Sequence, residues 1–403
     1  LRKFTTEKMG CQIIDNSLLI KMEKIPVIPE SFMGIQKFSS KEEYAYLCIL
    51  LMFLEALLSP ALSYWSGRQR FEYRYRILVC VTILQALMNP IASLVLIRMN
   101  GGTAMMRILG IVGVQVCICV PIIVFQFCKG KEFFSKEYWG YALRIGIPIV
   151  PHYLSGIILN QGDRIMIDKM VGKTEVALYG LAYSIGMLVQ LFISGMNSAL
   201  TPWMYSKIKK GDIRSMRKVL QLLSIVVVGI AVALMLISPE LVLIFGSPKY
   251  REAVYVIPPV AASVFFIFIY NILSMPQFYY EKTQFLMAAS MAAAGANVVL
   301  NFIFIRLFGY IAAGYTTLAC YMLYSVGHYI VSKRILVNEG IQENLMNPGF
   351  LLACSVFLIG ASIICNLIFP YRILRYAILL ASAGLVFWKK ELLLKTMADI
   401  RKK

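Results

Sequence analysis

Three polar side chains recur at helical spacing inside one apolar stretch: His152, Asn160 and Asp163, with Gly156 between them. A period of 3.6 residues places them on one helix face. Arg164 follows Asp163 directly. A second stretch carries Tyr179, Tyr183, Gly186, Gln190, Ser194 and Asn197, at spacings of 4, 3, 4, 4 and 3. Two such stripes read either as walls of one water-filled cavity or as interhelical hydrogen bonds in a packed bundle. Asp163 and Arg164 read as an interfacial ion pair anchoring a helix end, or as a gate that pairs in one conformation. Glu55, within LMFLEALL, is a paired interface carboxylate or a proton or ion coupling site, a role open to Asp163 as well. His152 titrates near neutral pH unless a hydrogen bond holds it.

The elements that must position these groups are membrane helices. Of 403 residues, 59% are hydrophobic and 15% charged, and the mean hydropathy is +0.71. Soluble domains carry about 45–50% apolar and about 25% charged residues, so a large soluble catalytic domain is excluded. A bilayer core needs about 20 residues of helix. Eleven spans are expected, at 44–65, 77–97, 105–127, 141–167, 176–203, 219–245, 254–275, 284–308, 311–332, 349–369 and 373–393. Residues 1–43 hold no apolar run of spanning length.

Lys and Arg exceed Asp and Glu by 40 to 21. Loops after odd-numbered spans and the C-terminal tail carry 22 of these cations, against 10 near the other loops. The first set is therefore read as cytoplasmic, with the C-terminus inside. This accounts for the +19 charge without nucleic acid as a partner; the basic loop 203–218 is read as lying against anionic membrane lipid. The nine cysteines form no C-x-x-C and no zinc spacing. Walker, G-x-S-x-G and H-E-x-x-H patterns are absent from the sequence, so neither enzyme, metal nor cofactor is expected.

Spans 1–3 resemble spans 7–9 at a constant offset. Gln69 aligns with Gln277, Ala86 with Ala294 and Asn89 with Asn297, and Ile97, Arg98 and Gly101 align with Ile305, Arg306 and Gly309. Internal repeats of this kind are common in transporters. On this reading residues 44–127 are half of an N-lobe, 138–332 a six-helix C-lobe, 349–393 two additional helices and 394–403 a basic cytoplasmic tail. Residues 1–43 stay unassigned. Three helices would precede span 1 in a complete protein, giving fourteen, and this chain is expected to be truncated at its N-terminus.

The stretch from Tyr138 to Gly186 resembles the bacterial polysaccharide-transporter proteins, the O-antigen and capsule repeat-unit flippases of the multidrug/oligosaccharidyl-lipid/polysaccharide exporter superfamily. The marks are Pro148 and Pro151, Asp163-Arg164 before an apolar triplet, Gly172 and Tyr179-Gly180. The aromatic and basic residues at 65–75 and the run LFGYIAAGYTTL at 307–318 add to it. The resemblance covers about residues 44–393. It implies an all-α polytopic membrane protein with two pseudo-symmetric helical lobes around a central cavity. It also implies movement of undecaprenyl-diphosphate-linked oligosaccharide across the bacterial inner membrane by alternating access, beside polysaccharide polymerase and chain-length proteins.

A diphosphate headgroup calls for cationic donors, above all Arg with its planar fork. Arg68, Arg70 and Lys282 at the cytoplasmic mouth are the candidates; the other reading is a positive-inside loop with no ligand. Two rival functions remain. A drug or cation efflux transporter of the same superfamily would want an acidic cavity, and Glu55 and Asp163 are the intramembrane carboxylates on offer. A membrane polymerase or glycosyltransferase would need a large outer loop, and every connection is short.

Overall fold

The computed structural model describes residues 41–99, 104–131 and 134–388. Residues 1–40, including most of the unassigned N-terminal stretch, and the basic tail 394–403 lie outside them, as does Gly101. In hydrocarbon every backbone amide and carbonyl must find its partner within the segment, so apolar runs of this length fold as helices. The described residues are all-α: α1 (Lys41–Phe71), α2 (Tyr75–Met99), α3 (Ala104–Gly130), α4 (Lys136–Met170), α5 (Lys173–Gly186), α6 (Leu188–Lys209), α7 (Ile213–Phe245), a 3-10 helix (Pro248–Val256), α8 (Ile257–Tyr279), α9 (Thr283–Phe308), α10 (Ile311–Asn338), α11 (Pro348–Ile368) and α12 (Arg372–Trp388). No strand occurs among the described residues.

Nine segments among them are long and apolar enough to cross a membrane, two fewer than the sequence reading expects. The difference lies at α10 and α12. α10 has the length, but it buries Thr316, Thr317, Tyr321, Tyr324, Ser325, His328 and Ser332, so its average hydropathy falls. α12 opens with Arg372 and Arg375, and the described residues follow it for 17 positions, to Trp388. The expected span 176–203 is broken at Met187, where Gly186 lies close to α8; a Cβ there would meet Val260 Cγ1 at 2.7 Å. The expected span 254–275 starts instead as the 3-10 turn. α8 begins at Ile257, with proline in its first turn, where a missing N–H costs no helical bond.

The chain divides into two compact units, 1–136 and 137–403. In the first, α3 packs against both α1 and α2. Gln85 Nε2 donates to Gln115 Oε1 at 2.9 Å, and Ser93 Oγ donates to the Arg107 carbonyl at 3.2 Å. Gly110 lets α2 and α3 touch, because a Cβ there would meet Ser93 Cα and N at 2.6 Å. Gly110→Ala is expected to destabilise this hairpin by about 1–3 kcal/mol through overpacking. Thermal unfolding of the purified protein checks it, and an unshifted transition would show that the helices separate freely here.

In the second unit α8 is the core, buried along nearly its whole length and packed by α5, α6, α7, α10 and α11. α7 starts at Asp212, which caps the helix by accepting from the Ser215 amide. The Lys207 ammonium, 2.6 Å away, and that cap hold the Asp212 carboxyl down to about 2. At the other end of α7, Arg375 of α12 makes a two-pronged pair with Glu240, both contacts 2.8 Å, and Tyr376 Oη donates to the same carboxylate at 2.9 Å.

The sequence repeat has a backbone counterpart. The amides of Glu72, Tyr73 and Arg74 donate to the carbonyls of Arg68, Arg70 and Gln69. Those of Tyr280, Glu281 and Lys282 donate to Pro276, Phe278 and Gln277. Tyr73 and Glu281 take left-handed φ values of 56° and 57°, and their numbers differ by 208 (281 minus 73), the offset at which Gln69 aligns with Gln277. Each turn closes one helix with the same left-handed cap and starts the next.

Candidate functional site: a buried polar network on α4

Asp163 is fully buried. Its Oδ2 accepts from Tyr179 Oη at 2.5 Å and from Thr317 Oγ1 at 2.7 Å, and its Oδ1 accepts from Asn301 Nδ2 at 2.5 Å. α4, α5, α9 and α10 thus converge on one carboxylate. A second layer follows: Asn301 Nδ2 also reaches Asn297 Oδ1 at 3.1 Å, and Thr316 Oγ1 donates to Asn301 Oδ1. One turn back along α4, Asn160 Oδ1 accepts from Tyr183 Oη at 2.6 Å and from Tyr321 Oη at 3.3 Å. Two turns further back, Tyr324 Oη lies 3.0 Å from His152 Nδ1. The α4 stripe is therefore matched, rung by rung, by hydroxyls of α5 and α10.

Asp163 and Arg164 do not pair, against the first sequence expectation for them. Adjacent helical residues diverge by about 100°, so while Asp163 turns inward Arg164 turns away. Its Nη1 donates to Gln161 Oε1 at 2.9 Å and its guanidinium lies 5.3 Å from the Tyr183 ring centre. Asp163 is held instead by three neutral donors, with no cation at ion-pair distance among the described residues. Such a carboxylate, met by one amide N–H and two hydroxyls and backed by Asn297 and Thr316, has the chemistry to carry a proton. No cluster of three His, Cys, Asp or Glu side chains that could hold a metal ion occurs among the described residues.

The remaining candidates fall elsewhere. Gln190 and Asn197 on α6 each bury a carbonyl oxygen without a hydrogen-bond partner, as Arg164 does its Nε. Glu55 is half-buried on α1 and makes no ion pair among the described residues. Arg68, on the last turn of α1, donates through Nε to Glu72 at 2.6 Å. That guanidinium draws the Glu72 carboxyl below the usual carboxylate range. Arg70 is half-buried beside it, and Lys282 is an exposed residue of the 280–282 turn in the second unit.

Sequence reading missed the α9 and α10 partners, and also His328, buried with Nδ1 2.8 Å from Gln277 Nε2. A signal existed: Asn297 and Asn301 are four apart, and Thr317, Tyr321, Tyr324 and His328 follow at 4, 3 and 4.

α4 is held near its start and near its end, with the Asn160 and His152 rungs between. Near its start, Tyr141 Oη donates to Glu281 Oε1 at 2.5 Å, in the left-handed turn. Near its end stands the Asp163 network. Between them Pro148 and Pro151 delete the amides that would bond to the carbonyls of Arg144 and Ile147.

The family of polysaccharide biosynthesis proteins matches residues 25–209, and the MatE family matches residues 148–303. Lsg locus protein 1 of Haemophilus influenzae is 28% identical over 172 residues, 40% of this chain and 41% of that protein. An uncharacterized membrane protein of the same organism is 29% identical over 191 residues, 44% of this chain and 46% of its own length. The chain therefore spans less than half the length of the curated relatives it matches. Among solved structures, an outward-facing multidrug resistance MATE family transporter of the MOP superfamily superposes with a TM-score of 0.55 at 16% identity, over 68% of this chain and 66% of that one. A MATE mutant gives 0.52 at 15% identity, over 66% and 63%. Likeness at these identities speaks to the fold alone. The two family matches overlap and together run from residue 25 to 303, on the same multi-pass helical architecture: the chain is similar to both the polysaccharide biosynthesis proteins and the MatE proteins, and it shares the fold of the MATE transporters.

Proposed function

We propose that this protein serves as a transporter of lipid-linked oligosaccharide, moving a polyprenyl-diphosphate-borne repeat unit across the bacterial inner membrane by alternating access. The observation that carries the reading is the division of labour among the polar groups. The buried carboxylate is enclosed by its own hydrogen-bond donors, whereas Gln190 and Asn197 keep amide oxygens without partners. Neutral amides and aromatic rings suit hydroxyl-rich sugar, and an enclosed carboxylate suits coupling to a proton. The match to polysaccharide biosynthesis proteins over residues 25–209 supports the same substrate class.

On this reading His152, Asn160, Arg164, Tyr179, Tyr183, Gln190 and Asn197 serve the substrate path, Asp163 the coupling step, and Arg68, Arg70 and Lys282 the headgroup. Glu55 is a second coupling candidate. Efflux of organic cations is the second reading, supported by the MATE-like fold and the buried acid.

One assay separates the two. In cells lacking their own flippase, expression of the full-length protein is expected to make lipid-linked repeat units accessible to a membrane-impermeant sugar oxidant at the outer face. Units that stay inaccessible, together with increased resistance to cationic dyes, would overturn the proposal in favour of efflux.

A further inference from the structure

The turn between α1 and α2 borders a cavity of about 510 Å³ inside the first unit. Its walls carry Arg68, Arg74 and Lys129, one carboxylate, Glu72, and the rings of Tyr64, Trp65 and Phe125. Three cations against one anion leave an excess of two positive charges. The volume falls within the range of about 300–1,000 Å³ usual for ligand pockets.

Glu72 accepts from Arg68 Nε at 2.6 Å and lies 3.3 Å from Arg74 Nε. Both guanidiniums are thereby oriented through Nε, with their outer Nη nitrogens left as donors. Lys129 Nζ stands 5.9 Å from the centre of the Phe125 ring.

The charges are not needed to make the turn. In the second unit the identical backbone pattern closes with Pro276, Tyr280 and Lys282 where the first has Arg68, Glu72 and Arg74. The partner of Lys129 at the same offset is Val337. A turn that forms equally well without an ion pair has no structural use for one. The pair instead holds two guanidinium forks open toward the cavity, which is the arrangement that recognises phosphate oxygens. The rings beside them are the side chains that favour the level where headgroup meets acyl chain. The loop-charge reading puts this turn on the cytoplasmic face, where anionic lipids gather.

We propose that this cavity binds the phosphate of a lipid headgroup, with Arg68, Arg74 and Lys129 as the phosphate ligands and Trp65 and Phe125 against the first carbons of the tail. Arg68 is shared with the headgroup role given above, so the prenyl diphosphate outcome rests on the flippase reading; failure of the site would withdraw Arg68 from that role, while the sugar-oxidant assay would still test the flippase reading separately. Two lipids share this chemistry: a bilayer phospholipid such as phosphatidylglycerol, and a prenyl diphosphate.

The purified full chain, exchanged into detergent with phosphatidylglycerol, phosphatidylcholine or geranylgeranyl diphosphate, is compared by native mass spectrometry with an R68Q/R74Q/K129Q variant. Phosphatidylglycerol or geranylgeranyl diphosphate adducts are expected on the wild type, reduced about tenfold in the variant, a ratio worth about 1.4 kcal/mol. Whichever of the two survives competition by the other is the resident lipid. K129Q alone, which leaves the turn intact, should weaken the same adduct, and R214Q, outside the cavity, should not. Equal adducts in all variants would overturn the site. Displacement by inorganic diphosphate as effective as by geranylgeranyl diphosphate would reduce it to an anion site and overturn the role of the lipid.

Discussion

Asp163→Asn is expected to lower transport at least about tenfold, a loss of about 1.4 kcal/mol in the transport barrier, while membrane insertion and the yield of folded protein change little. The carboxylate accepts three hydrogen bonds, two on one oxygen and one on the other. An amide is nearly the same size, so packing is kept. It cannot lose a proton, however, and its nitrogen must face either the Asn301 amide or the Tyr179 and Thr317 hydroxyls. The hydroxyls can rotate to accept, so the structural cost is at most that of one frustrated buried group, about 1–3 kcal/mol. Transport measured per folded molecule separates the two effects. Asp163→Leu would strand all three donors and is expected to lower the folded yield as well. If Asp163→Asn transports normally per folded molecule, the network is a packing node and the coupling assignment falls.

The second large effect is expected at the junction of α7 and α12. Arg375 is nearly buried, with both terminal nitrogens on Glu240 and Nη1 also on the Leu236 carbonyl at 2.7 Å. Removing one member of such a pair leaves an uncompensated charge, at a cost of about 3–5 kcal/mol. Glu240→Met should therefore unfold or undock α12, read as new protease sensitivity within 372–388 and a lower unfolding temperature. The E240M/R375M double replacement should recover most of the loss, because two apolar side chains of similar volume need no partner. A double variant no better than the single one would assign the effect to packing, including the Tyr376 hydrogen bond, rather than to charge.

Membrane helices were legible because the signal is long and redundant: about 20 apolar residues in sequence are enough. Half of the site was legible too, since Asn160, Asp163, Tyr179 and Tyr183 sit within 24 positions and their helical periods can be laid side by side. The other half lies 138 and 154 positions from Asp163, at Asn301 and Thr317. Periodicity marks which face of α10 is polar, but it does not say which helix that face meets. Asp163-Arg164 misled for a related reason. Opposite charges adjacent in sequence suggest a pair, although a helix sends neighbours in different directions. The break at Met187 had a still weaker signal: it falls beside Gly186, whose close approach to Val260 of α8 leaves no local trace in the sequence.

The attachments of α4 have a mechanical meaning. A rod riveted at 141, held again at 152, 160 and 163, and notched at 148 and 151 is most compliant between its first rivet and the rungs that follow. Flexure is gradual, but a rivet is either fastened or open. Loss of the Tyr141 contact would free the arm before the prolines at once, whereas the arm beyond them keeps several rungs and gives way only rung by rung.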